Sequence, residues 1–333
     1  MKIFITGGCG FIGSNLISFL LSLPQRDISV RVFDRSRCSG DLTAVLTAAQ
    51  SSIVLAPNLT GWDPGVSFIE GDVCDLELLK ASMSGAEFVV HLAAQTGVQP
   101  SIVDPLEDCQ VNVVGTLNVL EASRQNSVKK VIVASSSAPI GDALPPFHEG
   151  VLPKPISPYG ASKLSGEAYC QVYNALHGME CVALRFSNVY GPFSAHKKSV
   201  VASFIKSIFD DMTVKIFGDG SQTRDFLYVK DLCLAIWKSI NACKMNTSLL
   251  HIASGKETSV NELLSCVLSV ASNFGFTDVS CVYVQRNLGD VVRSFCDVSQ
   301  ACERIDWLPE TSLYLGVEDT FKYFLKRNKI ACG

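Results

Sequence analysis

Along its first half the chain alternates short, almost wholly apolar runs with longer stretches in which apolar residues recur at three- and four-residue steps. The runs at 2–6, 29–34, 66–71, 87–91, 130–135 and 180–186 are predicted strands. Between them 11–23, 75–83, 106–125 and 159–176 carry helical periodicity. In the first of these Phe11, Ile12, Leu16, Phe19, Leu20 and Leu23 share a face, and Pro24 suits its end. Runs without polar alternation, such as Val131-Ile-Val-Ala134, suit strands covered on both sides, so a parallel sheet with helices on each face is expected. Residues 36–65, with Ser, Asp, Pro and Gly and little period, read as a surface excursion, and 138–158 as a Pro/Gly-rich loop. Beyond Phe186 the regularity fades into short helices (200–209, 260–272, 313–326) mixed with short strands (214–217, 249–253, 281–284) and no linker. The fold class is therefore α/β, a doubly wound parallel sheet with a smaller mixed C-terminal lobe.

Composition narrows the possibilities. At 333 residues the chain exceeds the size at which one core stops growing, and 47% hydrophobic residues supply material for a large one. Lys and Arg number 28 against 32 Asp and Glu, with no basic run, so nucleic acid is not an expected partner. No apolar stretch matches a membrane span, and the opening run is too short for a signal peptide, so a soluble, cytoplasmic protein is expected. The 13 cysteines include no Cys-x-x-Cys pair, and none lie closer than the six positions from Cys296 to Cys302. Packing thiols, and neither disulfides nor a metal site, are the expectation, with Cys109, Cys170, Cys233 and Cys266 in apolar segments.

Chemistry enters where the first strand runs into Thr6-Gly-Gly-Cys-Gly-Phe-Ile-Gly13 and then a helix. A pyrophosphate at a helix N-terminus needs free N–H groups and a backbone it can approach closely, and glycine allows both. The next strand ends in Asp34, 21 positions after Gly13, where a carboxylate accepts from ribose hydroxyls and repels a 2′-phosphate. This is a Rossmann-type dinucleotide fingerprint. Asp34 favours NAD, while Arg35 leaves some room for NADP. Gly7, Gly10, Phe11, Ile12 and Gly13 become candidate cofactor contacts, joined by Asp72 and Val73 after the third strand and by Leu92, Ala93 and Ala94 after the fourth. His91 ends an apolar strand and reads as a buried structural histidine. Tyr159 and Lys163 lie four positions apart at a helix start, on one face. A phenol is a poor base at neutral pH, and a neighbouring ammonium together with a nicotinamide ring is expected to favour its phenolate. Ser135-Ser136-Ser137, at a strand end, offers hydroxyls to hold a substrate alcohol.

Over essentially its whole length the chain resembles the extended short-chain dehydrogenase/reductases, and within them the nucleotide-sugar 4-epimerases. The matching pieces, besides the glycine turn, are His91-Leu-Ala-Ala94, Asn112-Val-Val-Gly-Thr116, Ser135-Ser-Ser-Ala138, Ser157-Pro-Tyr-Gly-Ala-Ser-Lys163, Arg185-Phe-Ser-Asn-Val-Tyr-Gly-Pro192 and Gly218-Asp-Gly-Ser-Gln-Thr-Arg-Asp-Phe226. The resemblance implies Tyr159 as base, Lys163 as its activator and nicotinamide-ribose ligand, and Ser136 as the hydroxyl on O4, with Ser137 beside it. Ser136 is the position five before the loop glycine, Gly141, although Ile140 stands where the family usually has Tyr. It adds Asn112 and Phe186 to the NAD contacts. Asn188, Arg224, Arg286 and Asp290 are placed about the substrate's nucleotide diphosphate, with Phe217 near a uracil. An ion pair with Asp225 or Asp231 is the plainer reading of Arg224. The NAD-binding unit is expected over 1–182 plus about 225–255, with the substrate lobe at 183–224 and 256–333. A homodimer is also implied, through helices 106–125 and 159–176.

Reaction and sugar rest on the same resemblance. Related dehydratases place an Asp-Glu pair directly after the catalytic hydroxyl, and decarboxylases tend to carry a glutamate there. Ser137, Ala138 and Pro139 hold no carboxylate. The expectation is a UDP-hexose or UDP-N-acetylhexosamine 4-epimerase working through a transient 4-keto sugar. A 4,6-dehydratase and a uronic-acid epimerase or decarboxylase are the alternatives. Ser294 corresponds to the position bordering the sugar's C2 substituent, and its small size leaves space for an N-acetyl group; its plainer reading is a strand cap.

Overall fold

The computed structural model describes residues 1–24, 27–35, 53–55, 61–62, 65–285 and 291–331. Eight strands run parallel in one sheet: β1 (Lys2–Thr6), β2 (Ser29–Asp34), β3 (Ile53–Leu55), β4 (Gly65–Glu70), β5 (Phe88–His91), β6 (Lys130–Ser136), β7 (Glu180–Phe186) and β12 (Leu249–Ile252), in spatial order β12-β7-β6-β5-β1-β2-β4-β3. Alternation of side chains explains the two cores. Ile3 and Ile5 of β1 join Val30 and Val32 on one face, whereas Phe4 joins Phe33, Val89 and Val131 on the other. Helix α1 (Phe11–Ser22) covers the first face, and α2 (Leu76–Ser82) and α5 (Gly115–Gln125) cover the second. From β1 the chain steps outward to β2, then returns past β1 to β5. That reversal opens a crevice beyond the carboxyl ends of β1 and β5, the usual ligand position of such sheets.

Several elements differ from the sequence reading. The helix expected over 106–125 is three pieces: α4 (Pro105–Cys109), a π-helical turn (Gln110–Val114) and α5, preceded by a short α3 (Val98–Val103). Asp104 and Pro105 set the start of α4, where the Asp104 carboxylate accepts from Glu107 N–H at 3.0 Å. Within the expected excursion, β3 pairs with β4; most of the rest lies outside the described residues. Helix α6 (Pro158–His177) matches its expectation and ends at Gly178 in the left-handed region.

The C-terminal half holds β8 (Asn188–Tyr190), α7 (Val200–Asp211), β9 (Thr213–Phe217), β10 (Thr223–Arg224), β11 (Phe226–Tyr228), α8 (Val229–Asn241), β13 (Thr258–Ser259), α9 (Val260–Asn273), β14 (Ser280–Val284), α10 (Ser299–Ile305) and α11 (Leu313–Ala331). Helix α8, absent from the sequence reading, buries Leu232, Cys233, Ile236 and Ile240 in the first core. No helix among the described residues is long and apolar enough to cross a membrane.

His91 is 2% exposed and lies between two hydroxyls, Thr6 Oγ1 at 2.7 Å from Nδ1 and Thr116 Oγ1 at 3.0 Å from Nε2. Thr116 spends its proton on Asn112 O, so Nε2 carries the ring hydrogen and His91 is neutral. Burial first, then Lys163, pushes its pKa down to about 3, and burial with Arg185 does the same to His251. A folded pKa below the unfolded one means stability present above about pH 6.5 and lost as pH falls toward 3. The expected cost at pH 5 is roughly 2 kcal/mol per histidine, read as a falling melting temperature between pH 7 and 5. A flat profile would contradict it.

Candidate active site

The turn between β1 and α1 is built by close backbone approach. Gly7 sits at φ +70°, and a Cβ there would lie 2.5 Å from Ala93 N; one on Gly13 would lie 2.5 Å from Gly8 Cα. Gly10 N–H closes the turn onto Gly7 O at 3.1 Å, and Asp34 braces it by accepting from Cys9 N–H at 2.9 Å. A cleft of about 320 Å³ opens over this turn. Gly7, Gly10, Phe11, Ile12, Gly13, Asp34, Asp72, Val73, Leu92, Ala93, Ala94, Tyr159, Lys163 and Phe186 all line it.

Asn112 does not line the cleft. It is 1% exposed, and its amide is spent on Gln95 N–H and O and on Asp108, each at 2.9 Å. It fastens the loop after β5 and so acts on the cleft through that loop. Ser135, expected with Ser136 and Ser137 as a substrate hydroxyl, lines the cleft too, and sequence reasoning missed Thr96, His196 and Lys197, which also line it. Arg35 faces carboxylates, Glu107 at 3.3 Å and Asp72 at 3.8 Å, so with Asp34 this end suits a ribose diol better than a 2′-phosphate.

The other end of the cleft holds Tyr159 and Lys163. Ser157 caps α6 by accepting from Gly160 N–H, Pro158 follows at the first helical position, and Tyr159 N–H donates to Ser101 Oγ at 3.1 Å. Tyr159 is thereby fixed at the start of the helix. One turn on, the Lys163 ammonium lies 5.8 Å from the Tyr159 ring centroid and donates to Ala134 O at 3.0 Å. Burial pushes the phenol up to about 12; the hydrogen-bonded Ser136 hydroxyl pulls it down and Asp108 adds to the rise. Burial brings Lys163 down to about 8, against Asp108 and Glu167. The sequence expects a lowered phenol, but in the chain's own surroundings desolvation is the larger effect.

Behind Lys163 lies a buried ion pair. Arg185 donates to Glu167 through Nε at 2.8 Å and an outer nitrogen at 2.6 Å, and Ser135 Oγ donates to the same carboxylate at 2.5 Å. Arg185 and Ser135 face each other across β7 and β6. Ser136 and Ser137 separate in role, since Ser136 bonds Tyr159 whereas Ser137 Oγ lies 3.9 Å from Cys296 Sγ.

Of the residues expected on the substrate side, Asn188 is exposed at the start of β8, and Phe217 is 44% exposed at the end of β9. Arg224 donates to Thr223 O and Val291 O, both at 2.8 Å. Asp225 takes its donors elsewhere, from Ser254, Gly255 and Cys296 N–H and from Ser187 Oγ, and Asp231 takes Thr311. The segment carrying Ser294 is strapped to β10 by Thr223 N–H to Val292 O and to the residue before β13 by the Arg293–Glu257 ion pair. Two residues on, Cys296 meets Ser137, which draws this segment toward the serine loop. Arg286 and Asp290 lie outside the described residues.

A model of the NAD dependent epimerase/dehydratase family matches residues 3–251. The chain belongs to this family. It is an NAD-dependent enzyme, and the glycine cradle and Asp34 are the parts that fit the dinucleotide. It is 33% identical to the UDP-glucose 4-epimerase of Mycolicibacterium smegmatis over 99% of both chains. A dTDP-glucose 4,6-dehydratase of an Actinoplanes species is 30% identical over 97% of this chain and 98% of that one. Among solved structures, a UDP-N-acetylglucosamine 4-epimerase from Methanobrevibacter ruminantium, in complex with UDP-N-acetylmuramic acid, superposes with TM-score 0.85 at 29% identity, covering 98% of each chain. A UDP-glucuronic acid 4-epimerase from Bacillus cereus, solved with UDP-glucuronic acid and NAD, gives TM-score 0.84 at 27% identity over 98% of this chain and 100% of that one.

Proposed function

We propose that this family member is a UDP-sugar 4-epimerase. The carrying observation is the turn after Ser136. Ser137, Ala138, Pro139 and Ile140 place no carboxylate beside Tyr159, and Ala138 N–H is spent on Ser136 Oγ at 3.2 Å. Elimination of water across C5–C6 needs an added acid and base there, whereas inversion at C4 needs neither. Ser136 holds the C4 hydroxyl, and the Tyr159 oxygen takes its proton while the Lys163 ammonium stabilises the charge on that oxygen. Bound NAD supplies the hydride acceptor and donor at C4. Once the 4-keto sugar has turned over, so that C4 would take the hydride back on its other face, Tyr159 returns the proton to O4. Asn188 and Arg224 hold the diphosphate, with a guanidinium suited to paired phosphate oxygens.

Ser294 is the proposed gate for the C2 substituent, supported by its segment's approach to the serine loop. Incubation with UDP-glucose and UDP-N-acetylglucosamine, followed by NMR, should show C4 inversion of both; a 4-keto-6-deoxy product would overturn the reading. Ser294→Tyr should remove turnover of the acetamido sugar while sparing UDP-glucose, and equal loss on both would refute the gate. The proposed assembly is a homodimer, supported by Val103 and Leu106 (85% and 81% exposed) at the α3–α4 corner and Leu176 (72%) on α6. Light scattering after size exclusion would test it, and a monomer would contradict it.

A further inference from the structure

Between β8 and α7 the chain crosses from the sheet to the C-terminal lobe through Gly191–Ser199, and this crossing is pinned over the start of α1. Asn15 of α1 donates to Pro192 O at 2.9 Å as well as to Phe11 O. Ser194, 1% exposed, donates to Gly191 O at 2.6 Å; Lys197 N–H donates to Ser194 O at 2.9 Å; and Lys206 of α7 donates to Lys197 O at 2.8 Å. The backbone of Lys197 is therefore fixed, and its side chain lines the same cleft as Gly10, Phe11 and Ile12.

Lys197 is half-buried, and among the described residues its ammonium has no hydrogen-bond or ion-pair partner. Its pKa is lowered by burial with no countercharge opposing the shift. A partly desolvated cation that shares a cleft with a helix N-terminus, itself positive, is an unfavourable pairing of like charges. An anion between them reverses the sign of both interactions. We propose that Lys197 closes over the NAD pyrophosphate from the side opposite the glycine turn, so that the dinucleotide is gripped by both the sheet and the C-terminal lobe. Such a clamp retains cofactor between turnovers. The inference stands on NAD binding alone. A wild-type protein that kept NAD but failed to invert C4 would sink the epimerase reading and leave this one intact.

The test is ligand affinity of the purified full chain. Lys197→Met keeps the stem and removes the charge. It should weaken NAD and ADP-ribose about tenfold or more, the scale of one hydrogen bond to a charged group, and leave adenosine affinity unchanged. Lys197→Arg should recover most of the loss, and Lys198→Met, at the exposed neighbour, should match wild type. NAD affinity within twofold of wild type would overturn the proposal. So would a rise in KM for the UDP-sugar with NAD affinity intact, which would assign the ammonium to the substrate's diphosphate. Parallel loss of adenosine affinity would mean a distorted cleft and would equally count against it.

Discussion

Tyr159→Phe is expected to lower turnover by about 10²–10⁴-fold, the usual worth of a positioned acid–base group, while leaving bound NAD undisturbed. The phenyl ring keeps its place at the start of α6, held by the Ser157 cap and the Tyr159 N–H bond to Ser101, neither of which uses the hydroxyl. The proposed cofactor cradle, Gly7, Gly13 and Asp34, is untouched. Steady-state rates with the NAD content of the purified variant would check this; turnover within tenfold of wild type would remove Tyr159 from the chemistry. A linked expectation concerns pH. Lys163 is held down to about 8, so activity depending on its ammonium falls as pH rises through that value.

The largest loss of stability is expected from Arg185→Met. Arg185 is 1% exposed and Glu167 7%, and the substitution leaves that carboxylate buried with Ser135 of β6 as its one hydrogen-bond donor among the described residues. Breaking one side of such a pair costs about 3–5 kcal/mol, a melting-temperature drop of about 4–7 °C for a chain this long. Replacing both partners with apolar residues should recover much of it, because the penalty lies in the stranded charge. Thermal melts of the single and double variants would decide; a single variant as stable as wild type would show the charge to be solvated or protonated.

Much of this site could be read from local pattern. β2 and β7 coincide with their expected bounds, the glycine turn sits where strand meets helix, and Tyr159 and Lys163 need only helical spacing to share a face. What escaped depends on distance or on burial. Helix α8 starts directly after β11 at Tyr228, with no side-chain cap to announce it, although Leu232, Cys233, Ile236 and Ile240 carry the period. Lys197 comes to the cleft on a loop that Asn15, 177 positions before Pro192, helps tie down. Asn112 falls in a motif that resembles cofactor contacts, yet its amide is wholly engaged in bracing a loop. The raised phenol of Tyr159 reflects desolvation, which no spacing reveals.

The wide turn at Gln110–Val114 gives the helix one more residue than its length in space requires. Excising a single residue there is expected to let the segment rewind as ordinary α-helix over nearly the same rise, because the widened turn absorbs the surplus residue while the flanking faces stay in phase. Thr116 would keep its place beside His91, and Val119 and Leu120 theirs in the second core. The widened turn is thus slack wound into the helix, and a one-codon deletion at this point should be tolerated better than one in the regular turns that follow, which would shift every later side chain by about 100°.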